Sequence, residues 1–148
     1  MTSIRKANLG DLNVLIKLLS NQFGEHEIEL ESELLHNVLE TMLKNERLGF
    51  CMLAEKDGDP VGFAAIVFTW TLEHGGNVAW LEELYVLPEL RNDGIGTQLV
   101  DAVIAETTKL GCRAIDLEVE EEHERAENLY KRKGFHLLSR RRWAKKLV

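Results

Sequence analysis

No stretch of this chain approaches the roughly 20 consecutive apolar residues that a membrane-spanning helix needs, so none is expected. The opening residues, Met1-Thr2-Ser3-Ile4-Arg5-Lys6, lack the apolar core of a secretory signal. Cysteine is scarce. The two present, Cys51 and Cys112, stand far apart in apolar runs and read as buried free thiols. These absences point to the cytoplasm. Positive charge is also in deficit, with 18 Lys and Arg against 25 Asp and Glu and a net charge of -7. That balance argues against binding nucleic-acid phosphates. It favours cationic ligands, though weakly, because salt screens surface charge. Metal-ligand spacing is missing too. His26, His36, His74, His123 and His136 are scattered, and no pair falls on one face, so no metal is expected. There is no internal repeat, linker or low-complexity segment. The 148 residues fit one domain, 1–148, able to bury roughly 70% of its unfolded surface.

What is present is a regular alternation of strand and helix patterns. Ser3 to Ala7 alternates as a short strand. Asp11 is placed to cap a helix carrying Leu12, Leu15, Ile16, Leu18 and Leu19 on one face. Leu34, Leu35, Val38, Leu39, Met42 and Leu43 predict a second helix. Phe50–Glu55, Val61–Thr71 and Val78–Val86 read as strands, separated by turn signals at Lys56-Asp57-Gly58-Asp59-Pro60 and His74-Gly75-Gly76-Asn77. They predict an antiparallel meander. Gly94 opens an amphipathic helix with Leu99, Val100, Val103 and Ile104 inside, and Gly111 stops it. Ala114–Val119 is a strand, Glu124–Lys133 a short helix, and Phe135–Leu138 and Trp143–Leu147 are expected final strands. Strand, helix and strand from Val78 to Val119 imply a parallel pair with a right-handed crossover. The fold class is α/β, a mixed sheet with helices on both faces.

The most informative residues are Arg91-Asn92-Asp93-Gly94-Ile95-Gly96-Thr97, between a strand and a helix. A helix N-terminus carries amides without partners and a partial positive charge, so it takes phosphates readily. Glycine lets a pyrophosphate approach the backbone with no Cβ in the way. Arg91 adds a full charge and Thr97 a hydroxyl donor. A Gly-Lys-Ser/Thr nucleotide loop is absent, and so is the third glycine of a dinucleotide fingerprint.

The stretch Leu81-Glu82-Glu83-Leu84-Tyr85-Val86-Leu87-Pro88-Glu89-Leu90-Arg91-Asn92-Asp93-Gly94-Ile95-Gly96, followed by Ala126-Glu127-Asn128-Leu129-Tyr130-Lys131-Arg132-Lys133-Gly134-Phe135, resembles the two signatures of the GCN5-related N-acetyltransferase (GNAT) family. Val61-Gly62-Phe63-Ala64, Phe68-Thr69-Trp70 and Leu81-Glu82-Glu83 are similar to its spermidine/spermine acetyltransferase branch. The resemblance implies a six- or seven-stranded, mostly antiparallel sheet with a splayed central parallel pair. It implies acetyl-CoA as cosubstrate, its acetyl and pantetheine groups held by the backbone of Leu84, Tyr85 and Val86. Its pyrophosphate would lie on Arg91 to Thr97. Where many relatives carry a pantetheine-contacting asparagine, this chain has His123, and Asn128 is an alternative contact on the same helix. The family often forms dimers, so a homodimer is expected.

Acetyl transfer to an amine requires that the amine lose a proton, that the oxyanion be stabilised and that the thiolate be protonated. A lysine-like amine has a pKa near 10.4, so its deprotonation at neutral pH costs roughly 4–5 kcal/mol. Glu82 and Glu83 stand in an otherwise apolar strand, on opposite faces if simple alternation holds. The resemblance makes Glu82 the base, with Glu83 the other candidate. It makes Tyr130 the general acid, and the N–H of Tyr85 or Leu84 the oxyanion donor.

Glu25, Glu27, Glu29, Glu31 and Glu33 crowd the link between the first two helices, which in the family borders the acceptor. They suit a polyamine, a diamino acid or a lysine side chain, or else form a solvated face. Glu118, Glu120, Glu121, Glu122 and Glu124 are a second acidic run. Trp70, Trp80 and Trp143 are candidates for pocket or core. Arg140-Arg141-Arg142 and Lys145-Lys146 either reach the 3′-phosphate of CoA or guard a terminal strand against aggregation. The expected reaction is acetylation of a small primary amine. Protein amines and a non-catalytic acetyl-CoA-binding module are the alternatives.

Overall fold

A computed structural model describes residues 1–148, which divide into two units, Met1–Glu118 and Val119–Val148. In the first unit the order is β1 (Thr2–Lys6), a 3₁₀ turn (Leu9–Asp11), α1 (Leu12–Glu25), α2 (Ser32–Lys44), β2 (Gly49–Lys56), β3 (Asp59–Thr71), β4 (Gly76–Val86), a 3₁₀ turn (Pro88–Leu90), α3 (Ile95–Lys109) and β5 (Ala114–Leu117). The second unit holds α4 (Glu124–Arg132).

The five strands lie in chain order, β1 to β5. β1 to β4 pair antiparallel, as the three expected hairpin-linked runs require, and β4 and β5 pair in parallel. Side chains alternate across a strand, yet β2 and β3 each carry a continuous run of buried residues. Both faces are therefore covered. Cys51, Leu53, Phe63, Ala65 and Tyr85 form one face, packed against Leu15, Leu18 and Leu19 of α1 and Leu35 and Leu39 of α2. The alternate residues, including Met52, Ala54, Ala64 and Ile66, are buried on the other face. There α3 crosses the sheet, with Ile95, Leu99, Val100 and Val103 buried. At about 25 cal/mol per Å² of apolar area, each such large side chain contributes about 1.5–3 kcal/mol.

The entry to α1 is held by a reciprocal pair. Asn8 Oδ1 accepts the Gly10 N–H at 2.8 Å, and the Asp11 carboxylate accepts the Asn8 N–H at 2.9 Å. Asp11 was expected to cap α1 through its side chain, and it makes no such bond. Its two oxygens instead take a bidentate guanidinium from Arg5, both at 2.8 Å, which ties α1 to β1.

Two strand expectations fail. Phe135–Leu138 and Trp143–Leu147 are not strands, so the sheet has five strands rather than six or seven, and the parallel pair lies at its edge rather than its centre. A strand is stabilised by its ladder, and no ladder takes in these runs. Between them lie Arg140, Arg141 and Arg142, whose like charges oppose close pairing. β5 is also shorter than expected, ending at Leu117 instead of Val119.

Candidate active site

The site begins with an irregularity in β4. Ala65 of β3 pairs with Glu83, but its neighbour Ile66 pairs with Leu81. Glu82 is therefore an extra residue, a β-bulge, which bends a strand and increases its twist. β5 follows β4 only from Val78 to Leu81. From the bulge onward, the β5-side edge of Glu82 to Val86 has no strand partner. The expected splay of the parallel pair is thus present, and the expected acetyl-holding segment Leu84-Tyr85-Val86 lies along the open part.

The bulge also resets the faces. Leu81 stays with the α3 side, while Glu83 and Tyr85 join the side covered by α1 and α2. Glu82 acts electrostatically on both Glu83 and the Cys51 thiol of that side. The two carboxylates flank the bulge, where simple alternation along the strand is interrupted. Glu82 is exposed and Glu83 half-buried. Burial, followed by the nearby Glu82 charge, pushes the Glu83 carboxyl up to about 7. Gln22 of α1 hydrogen-bonds that carboxylate and partly counters the rise. Its Nε2 also reaches the Leu84 carbonyl at 3.5 Å. Gln22 is only 5% exposed, and its Oε1 is buried with no hydrogen-bond partner.

Beyond β4 the chain turns through Pro88–Leu90 and reaches the expected phosphate-binding residues. Asn92 and Gly94 adopt positive φ, 74° and 82°. Gly94 is the N-cap of α3, and a Cβ there would meet nothing within 4 Å, so the loop is open on that side. The backbone N–H groups of Asn92, Asp93, Gly94, Ile95, Gly96 and Thr97 donate to no acceptor within the protein. The first amide to do so is Gln98, to the Gly94 carbonyl at 3.0 Å. Successive free amides over left-handed residues, at the positive end of a 15-residue helix, make an anion-binding concavity. The Asp93 carboxylate would repel an anion, so this residue has only its amide to offer.

Arg91 is engaged otherwise. Its Nε donates to the Val86 carbonyl at 2.9 Å, and its Nη2 donates to both Glu25 oxygens, at 2.9 and 3.2 Å. The guanidinium lies 5.4 Å from the centre of the Tyr85 ring. Burial pushes the Glu25 carboxyl up, but hydrogen bonds from Tyr85 and Arg91 outweigh it and leave the pKa below the ordinary carboxylate range. Tyr85, 5% exposed, has its phenol pushed up to about 12 by burial and by its bond to Glu25. Of the acidic link, then, Glu25 reaches the phosphate turn through Arg91, and it is exposed, as are Glu27, Glu29, Glu31 and Glu33.

Three residues here were not anticipated in these roles: Gln22, Glu25 through its ion pair, and the Tyr85 side chain. Gln22 did leave a signal. It continues the Leu15, Leu18, Leu19 face of α1, where an apolar residue is the ordinary choice.

In the second unit α4 carries Glu124 and Glu127 in its first turn and Lys131 and Arg132 in its last, an arrangement that complements the helix dipole. Tyr130 stacks edge-on against Phe135, 5.7 Å between centres, after the chain reverses at Gly134 with φ 92°. Burial pushes its phenol up to about 12, so it holds its proton at neutral pH. His123 occupies the N-cap position of α4 and makes a 3.8 Å contact with Glu120. Asn128 is exposed on the same helix.

Trp70 and Trp143 are 73% and 88% exposed, so neither is core, and Trp80 is half-buried. Two hollows of about 290 and 200 Å³ are lined by residues of the first half of the chain, and neither includes β4 or the turn. No group of three or more His, Cys, Asp and Glu side chains is placed to hold a metal ion. No helix is long and apolar enough to cross a membrane.

Residues 12–135 match the profile of the acetyltransferase (GNAT) family. The chain is 30% identical over 144 residues to a thialysine N-epsilon-acetyltransferase of Bos taurus, with 88% of this chain and 82% of that protein covered. It is 37% identical over 95 residues to an uncharacterized N-acetyltransferase of Methanocaldococcus jannaschii, spanning 64% of this chain but only 42% of that longer protein. Among solved structures, a predicted acetyltransferase of Clostridium acetobutylicum with acetyl-CoA superposes with a TM-score of 0.80 at 23% identity, covering 99% of this chain and 96% of that one. At that identity it supports the fold alone.

Proposed function

The chain belongs to the GNAT acetyltransferase family, and from that premise we propose that it moves the acetyl group of acetyl-CoA onto the primary amine of a small cationic acceptor. It is an N-acetyltransferase of a family that acts with acetyl-CoA as cosubstrate. The acceptor and the residue roles are our own reading. One observation carries it: the row of unpartnered amides from Asn92 to Thr97 directly beyond a strand edge left open by the Glu82 bulge. A pyrophosphate on those amides would lay an extended pantetheine arm along the open backbone, as in strand addition.

In this reading the Leu84-Tyr85-Val86 backbone holds the acyl arm, and an N–H of Leu84 or Tyr85 stabilises the oxyanion. Glu82 takes the ammonium proton, directly or through water, and the freed lone pair attacks the thioester carbonyl. Collapse of the tetrahedral species breaks the C–S bond, the Tyr130 phenol, held protonated by burial, donates to the departing sulfur, and the second proton of the attacking nitrogen leaves through water to restore the phenol. Carboxylates on the α1–α2 link favour a cationic acceptor over an anionic one. The bovine relative's name specifies acetylation of an ε-nitrogen, which agrees with an amine at the end of a short chain.

The test is calorimetry with CoA on the wild-type protein and on Gly96→Trp, whose indole would fill the phosphate cradle. We expect binding in the first and none in the second. Equal affinity would refute the assignment. Thiol release from acetyl-CoA against polyamines, diamino acids, aminoglycosides and peptides then identifies the acceptor.

A further inference from the structure

Gln22 is an anomaly that the mechanism above leaves unused. It is a polar side chain on the apolar face of α1, almost fully buried, and one of its two polar atoms has no partner. An unpaired buried amide oxygen costs about 1–3 kcal/mol, whereas a leucine at this position would cost nothing. Its surroundings are informative: its Nε2 donates to the Leu84 carbonyl of the open strand at 3.5 Å, next to Glu83, which lies on the same face of the sheet and whose carboxyl the Gln22 amide acts to lower.

A carboxylate and an amide are a matched pair in both protonation states. When Glu83 is ionised, Gln22 donates to it through Nε2. When Glu83 carries a proton, the carboxyl becomes a donor and needs an acceptor. The unpartnered Oε1 of Gln22 is on the same amide, a half-turn about its last bond away.

We propose that Glu82 passes the proton taken from the acceptor amine to Glu83, and that Gln22 is the positioning residue that holds Glu83 in either protonation state. This inference rests on the acyl-transfer reading above. The N–H bonding pair stays on nitrogen and becomes the attacking lone pair. The proton moves to the exposed Glu82 and from there to Glu83, and it returns to solvent by the same path once product leaves. The surroundings of Glu83 suit a proton store. Glu82 on the same strand is its charged neighbour, and Gln22 from α1 is its hydrogen-bond partner. Ala65 opposite on β3 is apolar. The Cys51 thiol on β2 is pushed up to about 12 by burial and by Glu82, so it stays neutral. No lysine, arginine or histidine is among the groups that act on Glu83. With a value near 7 it exchanges protons at neutral pH, where base catalysis is most efficient.

The experiment is a carboxyl carbon-13 NMR titration of the side chain of Glu83 in wild type, Gln22→Met and Glu82→Gln, with a kcat/KM pH profile for the amine in wild type and Gln22→Met. Methionine fills the same space without a polar head. We expect Glu83 to titrate near 7 in wild type. The midpoint should rise in Gln22→Met, which loses the donor to the carboxylate, and fall in Glu82→Gln, which loses the like charge. The acid limb of kcat/KM should follow, so that Gln22→Met loses about fivefold at pH 7 for a one-unit rise of the midpoint from about 7, and recovers at higher pH. A purely structural glutamine would lower stability without moving the midpoint. The proposal is overturned if Glu83 titrates in the ordinary carboxylate range, or if Gln22→Met leaves its midpoint unchanged. If Gln22→Met fails to fold, the wild-type and Glu82→Gln titrations decide alone. CoA calorimetry on the same samples separates the two levels: wild type that binds no CoA refutes the acyl-transfer reading, whatever the titration gives.

Discussion

Replacing Glu83 with glutamine tests the electrostatics of the bulge without any substrate. The folded protein holds this carboxyl at about 7 against an ordinary 4.5, chiefly through burial and then through Glu82. Between those values the folded state binds more protons than the unfolded one, so stability falls as pH rises. The favourable contribution is complete below 4.5 and lost above 7. At about 1.4 kcal/mol per pH unit the gap sets a ceiling of about 3 kcal/mol. Glu83 is only half-buried, and solvent screening reduces that to about 1–2 kcal/mol. Glu83→Gln removes the ionisation, so the variant should gain on wild type by about this amount between pH 5 and pH 8. Urea unfolding followed by tryptophan fluorescence at four pH values measures the difference, in which the other titrating groups largely cancel. A gap between variant and wild type that does not change with pH would refute the reasoning.

Other outcomes follow from single contacts. In Gly49→Ala the new Cβ would sit 1.9 Å from the Ile66 carbonyl oxygen, which no rotamer relieves. We expect a loss of about 2–4 kcal/mol by chemical unfolding; near-wild-type stability would contradict the close approach of β2 and β3. In the proposed site Glu25 competes with a phosphate for the Arg91 guanidinium. Glu25→Gln should therefore tighten CoA binding up to about fivefold by calorimetry at low salt, because an exposed pair of this kind is worth about 0.2–1 kcal/mol. The gain should shrink at high salt. Tyr130→Phe should lower kcat by about 10²-fold and leave CoA affinity as in wild type, and unchanged turnover would remove the phenol from the reaction.

Much of this protein was legible because it is local. The meander rests on alternation and on the turn residues at Asp57-Gly58 and Gly75-Gly76, and these specify hairpins without reference to distant chain. The glycine-bearing turn was legible because glycine at a strand–helix junction marks a backbone that needs its freedom, and Gly94 does adopt the left-handed conformation it permits. The errors have a common source. Whether Phe135–Leu138 is a strand depends on a partner, and composition does not supply one. The relation of Glu82 to Glu83 turned on one extra residue in β4, which only pairing against β3 reveals. Asp11 was read as a cap because its neighbours in sequence invite it. Its carboxylate went to Arg5, six positions away in sequence.

Sequence alone determined the order of elements, the apolar faces of the helices and the glycine-bearing turn, since periodicity and backbone freedom are properties of short segments. It also carried the signatures of the family to which the chain belongs. Tertiary structure decided which polar groups are paid for and which are left over: Arg91 bound to Glu25, Glu83 raised by burial, Gln22 with one idle oxygen. The reason is that desolvation and hydrogen bonding depend on what surrounds an atom. For Gln22 and Glu83, 61 positions apart in sequence, those surroundings exist only once α1 lies on the sheet.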